Sequence, residues 1–128
     1  MDDRKLNELA AEKIFDLETC LNSDGTRWER TKGKHRDQES GWKPLRNYLT
    51  GDGMLRVIER MRQLGWWMCD VSYRRRWQGA TIITQAWRAW FESDDEEGPE
   101  KWADTAPRAV LLAALRAMGV DIDAIRDS

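Results

Sequence analysis

Apolar positions recur at three- and four-residue steps in three stretches of this chain, and alternate in two others. The clearest stretch is D-T-A-P-R-A-V-L-L-A-A-L-R-A-M-G, from Asp104 to Gly119. On a helix of 3.6 residues per turn, Pro107, Val110, Leu111, Ala114, Leu115 and Met118 share one side. Asp104 or Thr105 caps the start, and Pro107 sits in the first turn, where a missing N–H costs nothing. Gly119 closes the helix in a left-handed conformation that lets Val120 fold back. Residues 3–18 read as another helix through Leu6, Leu9, Ala10, Ile14 and Leu17, with Phe15 widening its buried side. A third covers 52–64, opened by Thr50 or Asp52 and closed by Gly65, with Met54, Val57, Ile58, Met61 and Leu64 inward.

The period then changes. In W-W-M-C-D-V-S-Y, Trp67, Cys69, Val71 and Tyr73 share one face of a strand, while Trp66, Met68, Asp70 and Ser72 share the other. Residues 74–79 read as a turn, and 80–91 return antiparallel. A helical stripe through Ile82, Ile83, Ala86, Trp87 and Trp90 competes there, but β-branched residues at the start and the turn ahead favour strand. After the exposed S-D-D-E-E-G-P loop, 100–103 read as a short third strand, and the tail from Asp121 as one more turn. Residues 19–49 lack any period and carry the turn chemistry of S-D-G-T, K-G-K and S-G-W-K-P. Such a gap is either a functional loop or a concealed short hairpin, anchored to the body by Trp28 and Trp42. The sum is an α+β fold in one domain over 1–128. It reads as a small layered sandwich of α/β/α type, two to three helices packed on a short, mostly antiparallel sheet.

Composition changes this picture in two ways. Eight tryptophans in 128 residues are many, and such rings serve either a small core or aromatic faces meant for a ligand. Charge is also uneven: 13 basic and 6 acidic residues lie between Arg27 and Arg76, against 8 basic and 17 acidic elsewhere. Cys20 and Cys69 stand far apart in unlike contexts and read as reduced thiols. No apolar run of about 18 residues exists to span a membrane. M-D-D-R-K at the start lacks the apolar core of a secretion signal, so the expected compartment is a cytoplasm.

Three segments in order carry a family resemblance: A-A-E-K-I in the first helix, W-K-P ahead of a capped helix ending V-I-E-R-M-R, and A-D-T-A-P-R-A-V-L-L-A-A-L-R-A-M-G after the strands. Together they resemble the phage ABA sandwich domain family, small proteins of tailed bacteriophages and prophages. The likeness spans nearly the whole chain, and A-x-T-A-P with the alanine-rich helix is its most specific part. It implies a small α+β layer fold made in the cytoplasm of an infected bacterium. The family has no established general activity or catalytic residues, so no site residue transfers. Arg108 stands where the family often has an acidic or small neutral residue, which weakens a capping box with Thr105. The helix start Thr50-Gly51-Asp52 is one residue longer than the family's, and the tryptophan load and the Arg74–Trp77 cluster are heavier.

No residue pattern announces catalysis. His35 lies in the charged K-G-K-H-R-D stretch without an orienting partner. Cys69 stands beside Asp70, which would not lower its pKa. Consecutive carboxylates from Asp94 to Glu97 lack the spacing of a cation loop, and no phosphate-binding glycine pattern occurs. The reading is a non-enzyme without metal or cofactor. Arg74, Arg75, Arg76 and Trp77 are the sharpest feature, because guanidinium forks grip phosphate and an indole stacks on a base. With Arg27, Arg30, Trp28 and Trp42 they form the predicted ligand-binding set, and Lys32, Lys34 and Arg36 add charge nearby. The first expectation is a phage accessory protein that captures a small anionic, nucleotide-derived ligand, sequestering a bacterial immune signal. An adaptor or inhibitor of a host protein is the alternative, and single-stranded nucleic-acid binding ranks below it. Duplex DNA is disfavoured, since no basic recognition helix appears. Unprotected sheet edges make a homodimer an expected assembly.

Overall fold

The computed structural model describes residues 2–33 and 40–122, with the backbone alone at 76 and 83–85. His35, Lys34, Arg36 and the turn expected after Asp121 lie outside the described residues, as does the Arg76 side chain. The chain forms α1 (Asp3–Leu9), a π-helical segment (Ala10–Ile14), β1 (Leu17–Leu21), β2 (Arg27–Thr31), β3 (Lys43–Pro44) and α2 (Gly51–Gln63). There follow β4 (Trp67–Gln78), β5 (Thr81–Glu92), β6 (Lys101–Ala103) and α3 (Ala106–Ala117). Two antiparallel three-stranded sheets result, ordered β1-β2-β3 and β4-β5-β6. This is a small α+β sandwich with helices packed on small sheets. Among the described residues no helix is long and apolar enough to cross a membrane.

α3 supplies more of the core than any other described element: Ala109, Val110, Leu111, Ala113, Ala114 and Leu115 are all buried. Its alanines let the helix approach Ala89 and Phe91 of β5 closely, while Leu6, Leu9, Ile14, Val57 and Met61 close the other side of the core. The termini behave as expected. The Thr105 hydroxyl accepts from Arg108 N–H, Gly119 adopts φ +86°, and Val120 N–H returns to Leu115 C=O at 3.0 Å. Arg108, out of place for a capping box, instead reaches Asp3 at 2.7 Å and ties α3 to α1. In α2 the cap is Thr50, whose hydroxyl oxygen accepts from Gly53 N–H at 3.0 Å, and Leu64 is 38% exposed rather than inward.

Three sequence expectations change, and one open alternative is decided. The first helix does not reach residue 18. Phe15 N–H closes on Ala10 C=O, Asp16 takes φ +54°, and Leu17 begins a strand. Asp tolerates that left-handed conformation better than most residues. The freed Ile14 carbonyl accepts Arg60 Nε at 3.0 Å, so the end is capped from α2. Of the two readings of the aperiodic 19–49 stretch, the concealed hairpin is the one observed, its described residues forming the β1–β2 hairpin and β3. Residues 74–79 are not a turn: β4 runs through the arginines, with Arg74 opposite Ala86 and Arg75 opposite Gln85. Only Gly79 (φ +61°) and Ala80 form the bend, a two-residue loop whose positive φ matches strand twist. Finally, the two faces of β4 do not alternate cleanly. A bulge between Met68 and Asp70 inserts Cys69, so Met68 and Val71 both face the core. The strand reading of 80–91 holds.

Gly53 is a point of close approach. A Cβ there would stand 2.5 Å from Tyr48 Cα, whereas one on Gly51 meets nothing within 4 Å. Gly53→Ala should therefore destabilise by several times the ~1 kcal/mol that a Gly-to-Ala change typically gains in a helix, while Gly51→Ala leaves stability equal or higher. Urea denaturation of the two variants beside the parent checks this, and equal midpoints would refute it.

Candidate functional site

The sequence-predicted ligand set divides between the sheets. Arg27, Trp28 and Arg30 lie on β2 and Trp42 just before β3, while Arg74–Trp77 lie on β4. The two groups share no strand pairing. Arg27 is ion-paired with Glu8, and the Trp28 indole N–H donates to the Thr26 hydroxyl at 2.9 Å. Arg30 is ion-paired with Glu18, donates to Ser40 C=O at 3.0 Å and lies 4.2 Å over the Trp42 ring. Arg74 and Arg75 are exposed, and Trp77 is 54% exposed.

What the structure does build is a cleft of about 510 Å³ beside the smaller sheet, within the size range of small-molecule sites. Phe15 and Tyr48 line it as a stacked pair, 4.9 Å between centroids and 20° between planes. Arg30, Lys43 and Arg46 bring three cations to its wall. Glu29, only 5% exposed, is the opposing carboxylate. One oxygen accepts the Arg46 backbone N–H at 3.0 Å and the other the Tyr48 hydroxyl at 3.0 Å. Tyr48 N–H in turn donates to Asn7 Oδ1 at 2.8 Å, and Asn7 Nδ2 donates to Asn47 Oδ1 at 3.3 Å. Burial, with the Glu29 charge and hydrogen bond added, raises the Tyr48 phenol well above its ordinary pKa. It therefore stays protonated and donates.

Arg30 alone of the predicted set lines this cleft, with Trp42 stacked on it. Phe15, Glu29, Lys43, Arg46 and Tyr48 were missed. A signal existed: alternation through R-W-E-R sets Glu29 on the face opposite Trp28 and Arg30, inward on a hairpin with nothing apolar at that position.

The tryptophan excess has a different use from the one expected. None of the eight indoles is fully buried. On the face of β4-β5-β6 turned away from the helices, the Arg88 guanidinium lies 4.8 Å from the Trp90 ring and 5.9 Å from that of Trp102. It also pairs with Asp70 at 2.9 Å and Glu100 at 3.8 Å. Partial burial pushes the Asp70 carboxyl up, but hydrogen bonds from Arg88 and Ser72 outweigh it and hold the group below its ordinary value. Cys69 is an exposed thiol whose S–H donates to Glu92 at 3.2 Å. Desolvation and that neighbouring carboxylate raise its pKa, which suits an inert side chain better than a nucleophile. Comparison with models of known families, with curated proteins and with solved structures returns no match.

Because the folded chain keeps a Tyr48 proton that the unfolded chain releases near pH ~10, that stabilisation is full below this pH. It is lost as pH climbs toward the raised folded value. Tyr48→Phe should lower stability by about 1–3 kcal/mol at neutral pH, since Glu29 loses a donor, and should flatten the alkaline decline. Urea titrations from neutral to alkaline pH measure both effects. An unchanged alkaline limb would contradict the assignment.

Proposed function

We propose that this chain binds a small anionic, nucleotide-derived ligand in the Phe15–Tyr48 cleft, as a non-enzymatic accessory protein of a bacteriophage. The observation that carries the reading is one cleft holding Arg30, Lys43 and Arg46 beside a stacked aromatic pair. Guanidinium and ammonium groups supply phosphate contacts, and an aromatic wall suits a planar base. Glu29 gives the ligand a direction. Its fixed negative charge repels a phosphate, which is left to the Lys43 and Arg46 side chains on the exposed rim, while the ring lies toward Phe15. The phage setting rests on the sequence resemblance. With it, the chemistry fits sequestration of a nucleotide signal used in bacterial defence.

A binder is favoured over a catalyst because the site's carboxylate is only 5% exposed and already accepts a hydrogen bond on each oxygen. General-base work needs an oxygen facing the substrate.

Thermal shift against cyclic dinucleotides, cyclic oligonucleotides and ADP-ribose derivatives tests the reading. A ligand at about a hundred times its Kd stabilises by about 2.7 kcal/mol, a rise of several degrees in Tm for a chain this size. The shift should vanish in Lys43→Glu/Arg46→Glu and persist in Arg75→Ala and Trp77→Ala. No shift with any anion of the panel, or one lost only in the β4 variants, defeats it.

A further inference from the structure

We infer that the β4–β5 hairpin is a dimerisation arm, and that its occupant is the same arm of a second copy of this chain. The inference is independent of the ligand cleft. Each strand has 12 residues, so the hairpin is about 40 Å long at about 3.3 Å per residue. α3, also 12 residues, covers about 18 Å. The core claims Met68, Val71, Trp87, Ala89 and Phe91 at the near end. Toward the tip, Tyr73, Trp77 and Ile82 are 56%, 54% and 39% exposed.

The arm also has an unpaired flank. β4 is the edge of its sheet. Among the described residues, the backbone of 67–78 makes no hydrogen bond outside the β5 ladder. A long free edge is a template for another strand. Charge selects which strand. Residues 71–91 hold four arginines and no carboxylate; residues 92–100 hold six carboxylates and no base. The acidic segment folds against the near end of the hairpin through the Glu92–Glu97 bridge and Gly98 N–H to Phe91 C=O at 2.8 Å. That segment lies on the β5 side of the hairpin, away from β4; at the β4 edge itself the root presents Asp70 and the tip Arg74 and Arg75. Two arms related by a two-fold axis and paired antiparallel along β4 set each tip against the other's root. A register centred on Ser72 places Arg74 of one copy opposite Asp70 of the other. In each copy these side chains already share a face with Ser72, with Arg74 Nε 2.9 Å from the Ser72 hydroxyl and 3.9 Å from Asp70. Arginines otherwise guard an edge against indiscriminate pairing, so an edge that presents a carboxylate opposite Arg74 is favoured.

Light scattering and sedimentation on the full chain should give twice the 15.0 kDa chain mass at low salt, dissociating as salt is raised. Arg74→Glu/Arg75→Glu, checked for folding by circular dichroism, should be monomeric. Mixing it with Asp70→Lys should restore a mixed dimer that neither variant forms alone. A single-chain mass at every concentration and salt, the result expected if the arm serves a foreign protein, overturns the inference. A dimer indifferent to Arg74→Glu/Arg75→Glu overturns it as well.

Discussion

One hydrogen bond, from the Tyr48 hydroxyl to the Glu29 carboxylate, settles where the smaller sheet sits. Across β1, β2 and β3 the only buried residue is that carboxylate. A sheet of this kind gains little from apolar burial, so its docking depends on polar groups being fully answered. A buried charge without partners costs several kcal/mol. Here Arg46 N–H and Tyr48 O–H answer both oxygens, Asn7 answers Tyr48 N–H, and Phe15 lies over the phenol ring. One tyrosine thus connects α1, the π-helical end, β2 and the start of α2. The close approach of Gly53 to its backbone extends the same knot to the second helix.

The larger sheet follows the opposite rule. Its root is held by packing, with Ala89 and Phe91 fully buried under α3. Where that packing gives out, cross-strand contact takes over, beginning with Tyr73 against Trp87, edge to face at 5.7 Å. On the uncovered face, tryptophan and arginine shield one another. Trp90 and Trp102 lose part of their water-exposed surface to the Arg88 guanidinium, which keeps its charge answered by Asp70 and Glu100. Eight indoles therefore do not imply eight core residues; large flat rings are also a means of finishing a sheet that has no second helical layer at that point.

The helical half of this architecture was legible because a 3.6-residue period and its capping residues are local signals. α3 and α2 follow their patterns to within a residue or two. The β half was legible only in part. Arg74–Arg76 looked like a turn because solvated charge is the usual mark of one, yet in an overhanging strand both faces are wet and charge carries no such meaning. The first helix ended early because L-E-T-C-L gained a partner in R-W-E-R-T, and long-range pairing outweighed continuation of a local period. The site was the least legible. Arg30 and Trp42 stood out by residue type, but Phe15, Glu29 and Tyr48 meet only through contacts spanning 19 or more positions or passing through a ring stack. No local pattern encodes that meeting.

The bulge at Cys69 has a consequence for how this chain can change length. On either side of it, every side chain of β4 keeps the face its packing requires, and the extra residue alone absorbs the half-step. Removing Cys69 would leave Met68 still inward and Asp70 still outward on a regular ladder. Removing a residue farther along the strand would instead turn the stretch between it and the bulge inside out. Within the well-packed root of the hairpin, this is the position where a codon could be lost while the direction of every other residue is preserved.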